Sequence, residues 1–357
     1  MDGIDLKSLL PSELESYLVS LGEPKFRAAQ VFSWLSKGVE RFDEMRNIPR
    51  ALQEKLDASA YIDSLRLLRK QVSSADGTAK YLWELRDGNA VETVVMRYSY
   101  GNTVCISSQV GCRQGCAFCA STIGGLVRDL TASEMFDEVL YSQKDLGEKI
   151  DRIVLMGIGE PLENYDAVVR FLRLVNRPDG LNIGMRHISV STCGLTEKID
   201  ALAQEDLPVT LAVSLHAPDD DTRSRLMPVN RRYGVGSVIR ACERYFEKTG
   251  RRISFEYAMI DGVNDSDAQA RQLAALAGQV KAHINLIPLN HVEERALAPS
   301  PKERLQRFCR ILEENGANCT VRRSLGGDVD ASCGQLRRKR ELSRAGDQNT
   351  DQEEVNA

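Results

Sequence analysis

From Thr103 to about residue 315 the chain alternates six β-rich runs with six helical stretches, and this rhythm restricts the fold more than any other feature of the sequence. The runs are 103–108, 152–156, 187–192, 209–215, 252–260 and 283–289; the helical stretches lie near 132–147, 164–176, 195–205, 235–249, 266–280 and 301–315. Strands that alternate with helices read as βα units, and βα units imply a parallel sheet. Thr131-Ala132-Ser133-Glu134 has the form of a capping box at one helix start, and Ser300-Pro301-Lys302-Glu303 has the same form with proline at the first helical position. Six such units close partway into a barrel or open into a doubly wound sheet, and periodicity does not choose between the two. In both, ligands belong at the carboxyl ends of the strands.

Upstream, residues 1–85 read as a helical segment. Leu6, Leu9, Leu10, Leu14, Tyr17, Leu18 and Leu21 follow helical spacing before the break Gly22-Glu23-Pro24, and further helices follow from Phe26 and after Ile48-Pro49. Strand character begins at Tyr81–Leu85, and Asp87-Gly88-Asn89 predicts a hairpin turn into 91–95. This divides the chain into a helical accessory domain (1–85), a linking hairpin (86–102), a core (103–335) and a polar tail (341–357) expected to be disordered. With 42% hydrophobic residues in 357, the chain can fill a large core, which excludes a fibre or a disordered polymer. Its longest apolar runs, such as Leu273–Ala277, are far short of the roughly 18–20 residues of a membrane helix. No secretory leader is visible at the start, so a soluble cytoplasmic protein is expected. The net charge of −4 resides in the tail, and residues 1–340 balance to zero. Paired cations at Arg231-Arg232, Arg251-Arg252, Arg322-Arg323 and 337–340 are candidates to meet phosphate, or are solvated surface charge.

Nine cysteines without a secretory leader argue for metal ligation or redox chemistry rather than a disulfide framework. Three of them form Cys112-Arg-Gln-Gly-Cys116-Ala-Phe-Cys119, a C-x3-C-x2-C spacing on the loop after the first strand of the series. Thiolates at this spacing suit an iron–sulfur cluster with one iron left open, or a zinc ion for which Cys105 is the nearest fourth ligand. Gly157-Ile-Gly159-Glu160-Pro161 ends the second strand, where a glycine turn can expose backbone to a ligand. It lacks the third glycine of a dinucleotide fingerprint. Ser191, Ser214, Leu215, His216 and Asn290 lie at later strand ends and converge on the same face. Cys193, Cys242, Cys309 and Cys319 read as core thiols. Glu92 is a carboxylate in an apolar strand run, where burial would raise its pKa.

The cysteine triplet resembles the defining motif of the radical S-adenosylmethionine superfamily. Val91-Glu92-Thr93, Cys105 to Cys112, Met156 to Leu162, Ser191-Thr192, Ser214 to Ala217, Leu286 to Asn290, Asp330 to Leu336 and the N-terminal phrase Leu21 to Arg27 narrow the resemblance to the RlmN/Cfr family of radical RNA-adenine methyltransferases, of the dual-specificity RlmN type. The resemblance implies a partial (β/α)6 barrel. It implies a four-iron, four-sulfur cluster on Cys112, Cys116 and Cys119, and S-adenosylmethionine held by Gly159, Glu160, Ser191, Ser214, Leu215, His216 and Asn290, with two molecules used per turnover. In such a family Cys333 takes a methyl group from the first of these. The second yields a deoxyadenosyl radical that activates the methylated Cys333 toward an aromatic carbon, which no sulfonium methyl could alkylate directly. Glu92 removes the proton, and Cys105 releases the product through a transient disulfide with Cys333. The implied substrates are adenosine 2503 of 23S ribosomal RNA and adenosine 37 of transfer RNAs, methylated at C2, with a flavodoxin or ferredoxin as electron donor and a monomer expected. The rival readings are C8 methylation of the same ribosomal adenosine, a zinc-stabilised RNA-binding module without catalysis, and a radical enzyme for a small substrate.

Overall fold

The computed structural model describes residues 3–290, 292, 294–323, 325–329 and 336–337. Cys333 and the tail 341–357 lie outside the described residues. The strands, in chain order, are β1 (Ile4–Asp5), β2 (Ala60–Tyr61), β3 (Arg66–Val72), β4 (Ala79–Glu84), β5 (Ala90–Tyr98), β6 (Gly101–Cys105), β7 (Gln109–Gly111), β8 (Leu126–Asp129), β9 (Arg152–Leu155), β10 (Ile188–Thr192), β11 (Thr210–Ser214), β12 (Ile253–Met259), β13 (His283–Pro288) and β14 (Asn318–Val321). The α-helices are α1 (Pro11–Ser20), α2 (Arg27–Leu35), α3 (Arg50–Ser59), α4 (Ala132–Leu146), α5 (Tyr165–Val175), α6 (Thr196–Leu202), α7 (Asp220–Leu226), α8 (Val235–Thr249), α9 (Asp267–Gln279) and α10 (Lys302–Glu314).

Each expected strand and helix of the βα series is present within a few residues of its expected bounds. One ten-stranded sheet runs in the order β14-β13-β12-β11-β10-β9-β6-β5-β4-β3. From β6 to β14 every neighbouring pair is parallel and every crossover steps one place in the same direction. Right-handed crossovers that never reverse direction put all the helices on one face, so the other face curls inward around a space. A doubly wound sheet needs a reversal of strand order, and there is none among these strands. The open alternative is thereby decided in favour of a partial barrel. Its two edge strands, β14 and β3, are bridged by irregular chain: Gly326 N donates to Asp76 Oδ2 at 2.8 Å, and the backbone N and Oγ of Ser74 each donate to Asp328 Oδ2 at 2.9 Å.

Two expectations are corrected. The helical segment ends at Ser59; β3 takes residues expected to be helical, β4 contains the strand expected from Tyr81, and the two extend the main sheet antiparallel beyond β5. The boundary expected near residue 85 thus falls inside the sheet. As an edge strand with no fully buried residue, β3 has no alternating pattern to betray it. The Asp87–Asn89 turn is found, with Gly88 at φ 81° and the Leu85 amide bonded to Asn89 O. The second correction concerns α10, whose N-cap is Pro301. Ser300 Oγ donates instead to Asp265 Oδ2 at 2.8 Å, so no capping box forms there. The Thr131/Glu134 box at α4 does form.

The N-terminal helices bury Leu14, Leu18, Val31, Phe32, Leu35, Leu52 and Leu56 in a core continuous with that of the barrel. The junction also holds a buried ion pair, Lys7 Nζ to Asp137 of α4 at 2.7 Å. Burial pushes the Asp137 carboxyl up to about 7 despite the lysine.

Candidate active site

A cavity of about 610 Å³ occupies the inner face of the barrel, and Cys105, Cys112, Cys116, Cys119, Gly159, Glu160, Ser191, Ser214, His216 and Asn290 all line it. These residues come from the ends of five different strands and the loop after β7, so the sequence's scattered candidates are brought to one place. Leu215 is buried and outside the cavity wall, contributing its backbone: its amide donates to Glu256 O.

The cysteine loop leaves the β7–β8 hairpin. Gly111, at φ 81°, lets it start, because a Cβ there would sit 1.9 Å from Gly125 O. The backbone is then held from three sides: Cys112 N donates to Gly125 O, Ala117 N donates to Leu226 O at the end of α7, and Thr122 Oγ1 donates to the carbonyls of Cys116 and Cys119. Arg295 adds hydrogen bonds to Cys119 O and Thr122 Oγ1. With its backbone bonded to protein, the loop turns its sulfurs to the cavity. Burial pushes the Cys112 thiol up to about 12 and Cys116 higher still, as for thiols that become thiolates only when a cation neutralises them. Among the described residues the three sulfurs do not gather within 4.8 Å of one another. A single zinc ion would draw them to about 3.8 Å apart, given Zn–S bonds of about 2.3 Å, whereas a four-iron cluster holds each thiolate on its own iron. The donor set and spacing fit a cluster.

Opposite the loop, the 156–160 turn packs on residues 106–109. A Cβ on Gly157 would lie 2.5 Å from Ile106 O, and one on Gly159, at φ 112°, 2.7 Å from Ser108 Oγ and Gln109 Cβ. These glycines permit an approach of chain to chain, which in turn sets Glu160 at the cavity wall. The Glu160 carboxylate accepts from Cys193 N at 2.7 Å and Leu162 N at 3.0 Å, and burial raises its pKa. The side chains of Cys193 and Thr192 also hydrogen-bond to this carboxylate. His216 has φ 56° and accepts the Ala258 amide on Nδ1 at 2.9 Å, which puts its proton on Nε2. Its ring meets Phe118 of the cysteine loop edge to face at 4.8 Å. Burial, then the charge of Arg223, lowers its pKa to about 3, so it is neutral at ordinary pH.

Beneath the site lies a cation that sequence reasoning missed. Arg223 of α7 is fully buried and makes five hydrogen bonds, to the carbonyls of Cys193, Ser214, Leu215 and Tyr233 and to Asn230 Oδ1. It ties together the ends of β10 and β11, which carry the candidate cofactor residues. Only a pattern of unsatisfied carbonyls would have revealed it, and that is a property of three dimensions. Cys193, expected to be a core thiol, is buried but lines the cavity; Cys242 is fully buried as expected. Arg322 and Arg323, one of the arginine pairs, also line the cavity.

Glu92 is on the same face of β5 as the cavity-lining Val94, Met96 and Tyr98, yet it is not itself part of the described wall. It is buried, with Oε2 2.9 Å from Lys80 Nζ and Oε1 accepting the Arg337 amide at 2.7 Å. Leu336 packs beside it on Leu82 and Ala90. Val329 lines the cavity, and the Arg337 amide covers Glu92.

Two family descriptions match the sequence: the radical SAM superfamily over residues 106–274 and the ribosomal RNA large subunit methyltransferase N-terminal domain over residues 4–62. A Desulforamulus reducens protein named "Probable dual-specificity RNA methyltransferase RlmN" is 52% identical over 339 residues, 95% of this chain and 97% of that protein. The chain belongs to the RlmN family of radical SAM methyltransferases. An RlmN relative of the same name in Symbiobacterium thermophilum is 52% identical over 94% of this chain and 91% of its own length. A crystal structure of a radical SAM methyltransferase from Sphaerobacter thermophilus superposes with a TM-score of 0.88 at 44% identity, covering 93% of this chain and 98% of that one. The RlmN N-terminal match ends at residue 62, just before the chain enters the main sheet at Arg66. Among the described residues no helix is long and apolar enough to cross a membrane.

Proposed function

We propose that this chain is a cytoplasmic enzyme that methylates C2 of an adenosine in structured RNA, namely adenosine 2503 of 23S ribosomal RNA and adenosine 37 of transfer RNAs, through a methylated Cys333 and a transient Cys105–Cys333 disulfide. The observation that carries this reading is the shared cavity: Cys105, the cysteine triplet and every candidate cofactor residue except Leu215 line it, and the described chain before Cys333 reaches it at Val329.

Cys112, Cys116 and Cys119 would hold the four-iron, four-sulfur cluster, and Gly159, Glu160, Ser191, Ser214, His216 and Asn290 would hold S-adenosylmethionine, with Leu215 supporting through its backbone. When bound, that pair supplies one-electron cleavage of the sulfonium and with it a radical able to abstract hydrogen, the electron coming from a flavodoxin or ferredoxin. Glu160 offers a carboxylate to the ammonium of the methionine moiety. Neutral His216 offers Nε2–H as a donor without adding positive charge beside a sulfonium. Cys333, as a thiolate, takes the methyl group of one S-adenosylmethionine by displacement. After that carbon is joined to the base as a radical adduct, the adduct gives up one electron to the one-electron carrier and Glu92, which also accepts the Arg337 amide, accepts the proton from C2, leaving a thioether. Cys105, as a thiolate, then attacks the Cys333 sulfur: the S–S bond forms, the Cys333 S–C bond breaks with its electron pair passing to the methylene carbon, and that carbon takes up a proton to stay on the base as a methyl group. A dithiol reductant must restore both thiols. Arg322 and Arg323 at the cavity are candidates for phosphate contacts, and the target base would leave its stack to enter.

The test uses Cys105→Ala. It should purify with RNA covalently attached, the RNA should vanish in Cys105→Ala/Cys333→Ala, and digestion of RNA treated with the native enzyme should yield 2-methyladenosine. RNA-free Cys105→Ala protein refutes the resolving role, and 8-methyladenosine moves the reading to the C8 outcome.

A further inference from the structure

Cys309 and Cys319, expected to be core thiols, are neither central nor fully buried. Cys309 is on the outer helix α10 and Cys319 on the edge strand β14, and their sulfurs stand 2.8 Å apart. The exposed Glu313, one helical turn after Cys309 and so on the same face of α10, points a carboxylate oxygen at both, 3.7 Å from Cys309 Sγ and 4.0 Å from Cys319 Sγ. Among the described residues this is where three ligating side chains converge within 4.8 Å. None of the three lines the barrel cavity.

We propose that Cys309, Glu313 and Cys319 form a second metal site, on the outer surface of the barrel edge, that takes a zinc-class divalent ion with water in the fourth position. With Zn–S bonds of about 2.3 Å and Zn–O bonds of about 2.0–2.2 Å, a tetrahedral ion needs S···O edges of about 3.5 Å and an S···S edge of about 3.8 Å. The two observed S···O separations fit within roughly half an ångström, and the sulfurs need to part by about 1 Å, which rotation of two unbranched side chains supplies. Two thiolates select zinc over magnesium or calcium. A disulfide, the other outcome open to two neighbouring cysteines, would leave Glu313 without a part and needs an oxidant; the carboxylate aimed at both sulfurs favours the ion. The site would staple α10 to β14. Three residues after Cys319, Arg322 enters the cavity wall, and the chain from there bridges to the β3–β4 turn, so the staple would anchor the strand from which the Cys333 segment departs. The site does not depend on the methyl-transfer reading.

The test is metal content. Full-length protein, reconstituted anaerobically with iron and sulfide, is equilibrated with zinc and desalted. The same is done for a Cys112→Ser/Cys116→Ser/Cys119→Ser chain, so that zinc in the cluster loop is not counted. One zinc per chain should be retained in both, falling to near zero with Cys319→Ser and binding at least tenfold more weakly with the surface change Glu313→Gln. Cobalt in place of zinc should give a thiolate-to-cobalt absorption that Cys319→Ser abolishes. Zinc retention unchanged by either substitution, no zinc bound to the reduced native chain, or a Cys309–Cys319 disulfide in protein never exposed to oxidant would each overturn the proposal.

Discussion

The protonation of His216 connects the geometry of the cavity to a measurable pH dependence. In the folded chain it protonates near pH 3, held down first by burial and then by Arg223, whereas an unfolded histidine protonates near 6.5. Between those values the unfolded state binds a proton that the folded state refuses. The contribution to stability is therefore complete above pH 6.5 and is lost progressively as the pH falls toward 3. Between pH 7 and pH 5 the loss is about 2 kcal/mol. With an unfolding entropy of about 2.1 cal/mol/K per residue, that corresponds to roughly 3 °C in Tm for a chain of this length. Asparagine is the right substitution, since it tolerates the left-handed backbone at φ 56° and its Oδ1 can accept the Ala258 amide in place of Nδ1. Other buried acids titrate in the same range, Asp63 near 6 and Asp137 near 7, so the informative quantity is the difference between the two proteins. Urea unfolding of iron-free native and His216→Asn protein at pH 7 and pH 5 should show the native chain losing about 2 kcal/mol more than the variant. Parallel pH profiles would refute the reasoning.

Three further perturbations follow from the same structure. Arg223→Met removes a donor from four buried carbonyls, of which Leu215 O keeps the Ala217 amide; at about 1–3 kcal/mol for each of the other three, urea unfolding should show a loss of more than about 3 kcal/mol, partly recovered by Arg223→Lys; a near-neutral methionine variant would contradict the network. Lys7→Met leaves the buried Asp137 carboxyl without its cation, so its pKa rises beyond about 7 and it must take up a proton to stay buried at pH 8; the loss there should be about 3–5 kcal/mol, most of it restored in Lys7→Met/Asp137→Leu, whereas equal stability of single and double variants would refute the pairing. Gly159→Ala, with its Cβ 2.7 Å from Ser108 Oγ, should weaken S-adenosylmethionine binding to iron-loaded protein at least tenfold in an equilibrium binding assay, and native affinity would remove the 156–160 turn from the cofactor site.

The βα series and the cysteine triplet were legible because each is a local pattern: strands buried on both faces write continuous apolar runs, and a cluster loop needs its thiols a few residues apart. Strand order was not legible, since barrel and doubly wound sheets share the same periodicity and differ in which neighbours pair. The exposed edge strand β3 carries no burial pattern, so nothing in the sequence separates Arg66–Val72 from the helices before it. At the site, the shared face of strand ends accounts for Ser191, Ser214, His216 and Asn290 lining one cavity, which Leu215 does not, while their assignment to a cofactor rests on the family resemblance. Glu92 shows the limit of that logic: alternation along β5 gives its face but not the Arg337 amide that bonds to it. Arg223, and the meeting of Cys309 with Cys319, depend on contacts between elements that no local pattern records.

The central claim is that Cys333 carries the methyl group. It is tested most directly by the mass of the proteolytic peptide containing Cys333, from native protein expressed with ample iron and from Cys112→Ala protein. The account expects the native peptide to be one methyl group heavier at Cys333 and the Cys112→Ala peptide to be unmodified. An unmodified Cys333 in the iron-loaded native protein would contradict it.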